Sequence, residues 1–296
     1  MGIIGFIGLG IMGRPMVKHL LDAGKTVLVS DVNKQAVKAV VAAGAKEASY
    51  EAIGACCEEI ILMVPNGEIS KSILFGENGV ASTIHEGFLV CDMSSVTPSE
   101  SQECYRKLKE KGVSFLDAPV SGGEPGAIAG TLAIMCGGDA ADFERMKPIF
   151  DILGSSALLV GPSGSGSTAK LVNQMIVNNT IAVISEAFVF ATKAGADPEK
   201  VYQAIRGGLA SSRVLDDKIP MILDRNFKPG GSLQINHKDI RNVISAAHSF
   251  DVPIPYTAQL YEILQSLKIH GHLGDDHGGI VQYFEKLADV EVKKTE

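Results

Sequence analysis

The sequence predicts an α/β fold in which an N-terminal doubly wound sheet is followed by an all-α C-terminal domain with a long interdomain helix. Short β-branched runs alternate with helical stretches up to about residue 161, whereas only apolar runs with helical spacing follow residue 167. The length of 296 residues and the hydrophobic fraction of 46% suit two cores better than one. We therefore expect domains at 1–162 and 163–296.

The N-terminal strands should alternate with helices, which predicts βαβ units and a parallel sheet whose strand order the sequence does not reveal. The runs expected to form strands are 3–7, 26–30, 59–64, 88–93, 113–119, 131–138 and 157–160. A Gly-rich stretch, 121–130, connects two of these strands. The Gly- and Ser-rich segment 161–167 then marks the change to helices.

The first helix of the C-terminal part is predicted to be unusually long. Residues 167–194 contain neither Gly nor Pro, and Gly195 follows in a position typical of a helix C-terminus. Such a helix spans on the order of 40 Å, which is more than a small domain needs. We expect it to support a homodimer or homotetramer. Residues 290–296 are interpreted as a solvated tail.

Composition excludes several classes of partner. The net charge of −7 disfavours nucleic acid, because phosphate binding needs a clustered basic surface. The five cysteines are odd in number and lack CxxC spacing, so we interpret them as reduced core residues. We see no cleavable leader and no apolar run of roughly 18 residues, which favours a cytoplasmic protein without a membrane span.

The first predicted strand runs into a nucleotide-binding pattern. Six residues fit G-x-G-x-x-G before a helix expected near Arg14: Gly8, Leu9, Gly10, Ile11, Met12 and Gly13. Such glycines let a pyrophosphate approach the helix N-terminus. Asp31, which ends the second strand, suits the adenosine ribose hydroxyls and repels a 2′-phosphate. We expect a Rossmann domain that prefers NAD(H), with NADP(H) possible because Lys34 lies nearby.

A polar face is predicted near the start of the long helix. Its residues stand at i, i+3, i+4 and i+7: Lys170, Asn173, Gln174 and Val177. Unsatisfied buried amides cost roughly 1–3 kcal/mol each, so a polar ligand opposite them is expected. A carbonyl under reduction fits, since an ammonium can protonate its oxygen, and the helix dipole should lower the pKa of Lys170. The residues alone are also compatible with a lysine on the helix surface, with both amides solvated.

Motifs along nearly the whole chain resemble the β-hydroxyacid dehydrogenase family. The segments that carry this likeness are 5–16, 92–98, 117–138, 164–174 and 237–239. Segments 201–210, 214–220 and 224–230 resemble its tartronate semialdehyde reductase branch. The resemblance implies NADH-dependent reduction of a small carboxylate-bearing aldehyde, tartronate semialdehyde, to D-glycerate. Alternatives are oxidation of 3-hydroxyisobutyrate, reduction of succinic semialdehyde or glyoxylate, and a dinucleotide-binding module without catalysis.

The resemblance also implies roles for particular residues. Lys170 would be the catalytic acid/base where it meets the nicotinamide, with Asn173 and Gln174 beside it. Gln174 departs from the Asn-Asn pair of many relatives, which puts the shape of the pocket in question. The substrate carboxylate would be held by the loop residues Ser121, Gly122 and Gly123, whose glycine amides can form an anion nest. On the residues alone, this loop could be a plain hairpin turn.

Further positions match cofactor contacts of the family. Val64 and Pro65 would lie near the adenosine ribose and the pyrophosphate, and Ser95 near the nicotinamide ribose. Lys238 would lie near the nicotinamide, oriented by Asp239. Without the resemblance, segment 237–239 would be interpreted as a solvated charge run.

One histidine-rich segment invites a metal-site interpretation. It contains His270, His272, Asp275, Asp276 and His277. We expect an exposed Gly-rich loop here and no metal, because carbonyl reduction by a lysine requires no Lewis acid.

Overall fold

The computed structural model describes residues 2–294 and confirms the predicted α/β fold. The chain divides into two compact units that meet between Lys170 and Leu171. The first carries a sheet with helices, and every described element after it is helical. The domain boundary expected after residue 162 stays a prediction, since the helix that begins at Ser165 belongs to both units.

The described strands of the first unit form one sheet. They are β1 (Ile3–Ile7), β2 (Thr26–Ser30), β3 (Lys46–Glu47), β4 (Glu59–Leu62), β5 (Leu89–Asp92), β6 (Ser114–Asp117), β7 (Val120–Ser121), β8 (Leu132–Gly137) and β9 (Gly154–Gly161). Their order is β3-β2-β1-β4-β5-β6-β8-β7, and β9 pairs with β8. The order from β3 to β6 is that of a doubly wound dinucleotide-binding sheet.

The predicted parallel sheet is confirmed, and one edge of it adds antiparallel pairs that the sequence did not reveal. Pairing is parallel from β3 through β6, but β8 runs antiparallel to both β6 and β7. The reason lies in the connection between β7 and β8. Since β6 and β7 both run antiparallel to β8, they run in the same direction, separated only by Ala118 and Pro119. Only residues 122–131 lead from β7 to β8, and a parallel crossover needs a dozen residues or more.

Helices cover the sheet of the first unit. They are α1 (Gly13–Asp22), α2 (Lys34–Ala42), α3 (Tyr50–Cys56), α4 (Gly67–Phe75), α5 (Pro98–Lys109), α6 (Gly123–Ala129) and α7 (Ala140–Leu153). Local sequence sets several starts. The Asn33 side chain caps α2, and Thr97 with Glu100 forms a reciprocal capping box at α5. The Gly-rich stretch 121–130 is more than a connection, because it contains α6.

Alternating strand side chains build a core on each face of the sheet. Phe6 and Ile61 pack into one apolar cluster, whereas Ile7, Ile60 and Leu62 pack into another. This is the period of two expected for a strand buried on both faces. The two clusters hold the strand ends in place, and the candidate cofactor residues follow those ends.

The cysteine prediction holds for four of the five residues. All five described cysteines are free thiols, and the buried ones are Cys57, Cys91, Cys104 and Cys136. Cys56 is exposed, so its assignment to the core is wrong. It is the last residue of α3 and is not part of the apolar cluster that holds Cys57.

The second unit is helical, with two apolar clusters. Its helices are α8 (Ser165–Lys193), which begins in the first unit, α9 (Pro198–Ile205), α10 (Arg213–Leu223), α11 (Leu233–Ser249), α12 (Pro255–Ile269) and α13 (Val281–Ala288). The 29 residues of α8 extend about 44 Å. Gly195 follows in the left-handed conformation at φ +82°, as expected for a helix C-terminus.

By length and composition alone, α8 could cross a membrane, which the sequence had not led us to expect. This is weak evidence for a span, because core helices of soluble proteins have the same properties. Leu171 and Ile181 are buried in an apolar cluster of the second unit. Asn178 and Ser185 are buried as well and bond to carbonyls of their own helix.

The C-terminal segment is not the solvated tail that its charges suggested. Val292 is fully buried, and its amide donates to Glu285 Oε1 at 2.8 Å. Lys294 N also donates to the carbonyl of Leu223. The last two residues of the predicted tail, 295–296, lie outside the described residues.

Candidate active site

The glycine loop between β1 and α1 contains two glycines that packing requires. Gly8 has φ +103°, and a Cβ there would lie 2.2 Å from the carbonyl oxygen of Met63. A Cβ on Gly13 would lie 1.9 Å from the carbonyl oxygen of Gly8. A Cβ on Gly10, by contrast, would meet no heavy atom within 4 Å. Packing gives no reason for glycine at Gly10, but close approach of a pyrophosphate would, so the loop fits a dinucleotide.

Asp31 braces this loop from the end of β2. Its Oδ2 accepts from Leu9 N at 2.5 Å, and its Oδ1 accepts from Asn33 N at 2.6 Å. Each carboxylate oxygen can accept more than one hydrogen bond, so ribose hydroxyls remain possible donors. The bond to Leu9 was not foreseen, and no local pattern identifies it because 22 residues separate the two groups.

Lys34, the residue that left NADP(H) open, is engaged elsewhere. Its Nζ lies 2.7 Å from Glu47 Oε1, and both side chains are exposed. The hydrogen bond to Glu47 raises the pKa of Lys34. An exposed pair of this kind is weak, so it does not decide between NAD(H) and NADP(H).

Loops after β4 and β5 are tied together by Ser94, a residue that the sequence reasoning missed. Val64 N donates to Ser94 Oγ at 2.9 Å, and Ser94 N donates to Asp92 Oδ1 at 2.9 Å. Burial raises the pKa of the Asp92 carboxyl. Pro65 is exposed and Ser95 half-buried, each beside one of these tied residues. The only sequence signal for Ser94 was its place beside Ser95.

The predicted substrate loop is a strand end followed by a helix start. Ser121 is the last residue of β7, and α6 begins at Gly123, so the hairpin-turn alternative is wrong. Gly122 and Gly123 have φ +134° and +60°, and both are exposed. Consecutive glycines in such conformations present backbone N–H groups that can hold a carboxylate.

Lys170 is half-buried and is the sixth residue of α8. The helix starts two residues earlier than predicted, so Lys170 lies in the second turn, where the helix dipole acts more weakly. Asp117 holds the start of this helix. Its Oδ1 accepts from Gly164 N at 2.7 Å and its Oδ2 accepts from Ser167 N at 2.8 Å. Sequence reasoning gave Asp117 no role.

In the second unit, a hydrogen-bond network joins four predicted site residues. Asn173 Nδ2 donates to Gln174 Oε1 at 3.0 Å, and Gln174 Nε2 donates to Asp239 Oδ2 at 2.6 Å. Lys238 Nζ lies 2.9 Å from Asp239 Oδ1. Because Asp239 is 1% exposed, the interpretation of this segment as a solvated charge run is wrong. The side-chain amides of Asn173 and Gln174 therefore make some of their hydrogen bonds within the protein rather than to a ligand.

The histidine-rich segment is not the exposed loop that we expected. Asp276 is fully buried, and its carboxylate accepts from the amides of Gly230, Gly231 and Gly278. Lys218 Nζ lies 2.8 Å from Asp276 Oδ1. Within residues 2–294, no group of three or more His, Cys, Asp or Glu side chains is arranged to hold a metal. Asp276 connects loops of the second unit.

Comparison with known families separates the chain at almost the same place as its composition. The family model for the NAD binding domain of 6-phosphogluconate dehydrogenase matches residues 3–161. The model for the NAD-binding domain of NADP-dependent 3-hydroxyisobutyrate dehydrogenase matches residues 164–284. The first model alone covers more than half of the chain.

Whole-length relatives agree with these matches. The chain is 40% identical to 2-hydroxy-3-oxopropionate reductase of Escherichia coli (strain K12), over 97% of this chain and 98% of the relative. It is 35% identical to 2-(hydroxymethyl)glutarate dehydrogenase of Eubacterium barkeri, over 98% and 97%.

A solved structure supports the same assignment. 3-Hydroxyisobutyrate dehydrogenase of Mycobacterium tuberculosis superposes with a TM-score of 0.90 at 28% identity, covering 95% of this chain and 98% of that one. The non-catalytic alternative is therefore set aside. The chain is a member of the β-hydroxyacid dehydrogenase family, and so an NAD(P)-dependent oxidoreductase.

Proposed function

We propose that this enzyme reduces tartronate semialdehyde (2-hydroxy-3-oxopropionate) to D-glycerate with NADH. The observation that carries the proposal is the 40% identity to a 2-hydroxy-3-oxopropionate reductase over 97% of the chain. The segments that resemble this branch, 201–210, 214–220 and 224–230, lie outside the glycine loop shared by dinucleotide-binding enzymes. They therefore bear on the substrate rather than on the cofactor.

In this proposal Lys170 is the proton donor. When bound, the nicotinamide supplies the hydride that the aldehyde carbon receives. The Lys170 ammonium gives its proton to the carbonyl oxygen as negative charge develops there, which leaves a neutral amine. Asn173, three residues further on the same helix face, would orient that oxygen. The amides of Gly122 and Gly123, with Ser121, would hold the carboxylate.

The chain's own residues also support a preference for NAD(H). Asp31 would accept from the adenosine ribose and repel a 2′-phosphate, while Lys34 stays paired with Glu47. Val64, Pro65 and Ser95 would line the ribose and pyrophosphate, and Lys238, held by Asp239, would lie near the nicotinamide. We expect kcat/KM for NADH to exceed that for NADPH by about tenfold or more, since juxtaposed like charges cost several kcal/mol. Equal values would contradict this.

The test of substrate and mechanism is the rate of NADH oxidation with a panel of aldehydes. The panel is tartronate semialdehyde, succinic semialdehyde, methylmalonate semialdehyde and glyoxylate, each with wild type, Lys170→Ala and the charge-preserving Lys170→Arg. We expect the highest kcat/KM with tartronate semialdehyde and a loss of about 10²-fold or more in both variants. A different best aldehyde would refute the substrate, and an active Lys170→Ala would refute the mechanism.

A second candidate is 3-hydroxyisobutyrate dehydrogenase activity, favoured by the TM-score of 0.90 to the mycobacterial enzyme. Oxidation of 3-hydroxyisobutyrate by NAD⁺ distinguishes the two. In that direction Lys170 would accept the hydroxyl proton. A kcat/KM for this substrate above that for D-glycerate would favour the second candidate.

We further propose a cytoplasmic homodimer or homotetramer. Four side chains of α8 form an exposed apolar stripe, defined here as Val172, Ile176, Val183 and Phe190. They are between 48% and 75% exposed and recur at helical spacing, so a second copy could cover them. Light scattering after size exclusion should show an oligomer that Val183→Lys dissociates. A monomeric wild type would contradict the proposal, and cell fractionation tests the location.

A further inference from the structure

Asp117 lies where the helix that carries Lys170 begins. It is the last residue of β6, and its side chain is fully buried. Its two carboxylate oxygens accept from two backbone amides, Gly164 N at 2.7 Å and Ser167 N at 2.8 Å. All of these residues belong to the first unit, as does Lys170.

This carboxylate takes the place of a helix N-cap. Thr168 N donates to the carbonyl of Gly164, so Gly164 stands at the N-cap position of α8. Glycine has no side chain that could accept from the free amides of the first turn. An N-cap side chain accepts from the second or the third helical amide, and the third is here Ser167 N. Asp117 supplies that acceptor from the end of β6.

Close packing fixes the same helix start. A Cβ on Gly166 would lie 2.3 Å from the carbonyl oxygen of Asp117 and 2.4 Å from that of Met135. The buried hydroxyls of Ser101 and Ser167 lie 2.8 Å apart. The first turn of α8 is therefore seated on β6 and β8 with little freedom to slide or rotate.

Lys170 follows Ser167 by three residues, which is a rise of about 4.5 Å and nearly one turn. A shift at Ser167 is thus passed almost directly to the Lys170 side chain. We propose that Asp117 is a positioning residue for Lys170. The ionised carboxylate of Asp117 fixes the height and rotation at which the Lys170 side chain leaves the helix. This inference rests on the proposed role of Lys170.

The ionisation state of Asp117 should matter at accessible pH. Burial raises the pKa of this carboxyl to about 6, against the lowering effect of its backbone hydrogen bonds. The neighbouring titratable groups are Cys91 and Asp92 on β5 and Cys136 on β8. Burial raises the pKa of both thiols, so they stay neutral near pH 7. A protonated Asp117 would present an O–H to one of the two amides and weaken the cap.

The experiment measures kcat for aldehyde reduction against pH in wild type, Asp117→Asn, Asp92→Asn and Lys170→Ala. Each rate is divided by the concentration of NADH-binding sites from a fluorescence titration, so unfolded protein does not count. We expect Asp117→Asn to lose about 10²-fold in kcat with unchanged NADH affinity, because small misplacements of reacting groups cost that much. Wild type and Asp92→Asn should both lose activity as the pH falls through about 6, whereas Asp117→Asn should not.

Several outcomes would overturn the proposal. A normal kcat per binding site in Asp117→Asn would show that the residue serves folding alone. If the loss of activity at low pH disappeared in Asp92→Asn, that loss would come from Asp92 and not from Asp117. Lys170→Ala keeps this failure separate from failure of the proposed function. An inactive Lys170→Ala with a normal Asp117→Asn refutes only the positioning role, while an active Lys170→Ala refutes the function on which it rests.

Discussion

Asp117 in the first unit and Asp276 in the second are both fully buried, yet their environments act on them in opposite directions. Asp117 bonds to backbone amides, and burial raises its pKa to about 6. Asp276 also bonds to backbone amides, but Lys218 and His277 lie beside it and its pKa is lowered. Neutral amides alone do not offset the cost of burying a carboxylate here, whereas amides with a nearby cation do.

The largest loss of stability should follow from substituting Asp276, whose buried charge is compensated by Lys218. Asp276→Asn removes the charge opposite Lys218, whose side chain is only 13% exposed, and weakens the acceptor for three loop amides. We expect the free energy of unfolding to fall by about 3–5 kcal/mol, measured by urea denaturation. Lys218→Met in the Asp276→Asn background should recover part of this loss. A change near zero would show that the pair contributes nothing to stability.

Asp117→Asn should destabilise less. The substitution keeps one carbonyl acceptor for the amides of Gly164 and Ser167, and it removes a charge that the site solvates poorly. We expect a loss of about 1–3 kcal/mol at pH 7, the range for a lost hydrogen bond to a buried group. A larger loss than for Asp276→Asn in the same urea experiment would reverse the ranking of the two sites.

The pH dependence of stability should distinguish the two aspartates by sign. Because the folded pKa of Asp117 is raised above 3.8, its contribution is fully present below that pH and is lost as the pH rises through about 6. Because the folded pKa of Asp276 is lowered, its contribution is present above 3.8 and is lost as the pH falls through its folded pKa. The difference in unfolding free energy between wild type and each Asn variant should therefore change with pH, and in opposite directions for the two variants. Slopes of the same sign would contradict the comparison.

The smallest effect is expected where a charge pair is not buried at all. Glu47→Gln breaks the exposed contact with Lys34. We expect no measurable change in the free energy of unfolding, since water and salt screen such pairs. The same variant should raise kcat/KM for NADPH relative to NADH, because Lys34 becomes available to a 2′-phosphate. An unchanged ratio would show that Lys34 lies too far away to take part.

Local patterns predicted the parts of the molecule that neighbouring residues determine. Strands such as 3–7 and 26–30 match β1 and β2 because apolar side chains, β-branched in particular, favour buried strands, and Gly8 and Gly13 are needed by the turn between β1 and α1. The face of Lys170, Asn173 and Gln174 follows from helical periodicity alone.

Contacts between residues far apart in the chain could not be predicted from the sequence. Asp117 meets the start of α8 across 47 residues, and Asp276 meets Gly230 across 46, so neither partner leaves a local signal. The antiparallel pairing of β8 likewise depends on which strand lies beside it. Charge misled the prediction at Asp239 and Asp276, since polar residues are ordinarily exposed unless a partner elsewhere in the chain compensates burial.

Gly10 offers a way to separate ligand affinity from foldedness. A methyl group at this position would strike nothing in the protein, whereas one at Gly8 or Gly13 would collide with backbone. Gly10→Ala should therefore yield a properly folded chain whose loop no longer admits a pyrophosphate. Such a protein would be a null reference for thermal-shift or calorimetric screens, in which any signal that persists reports ligands bound somewhere other than the glycine loop.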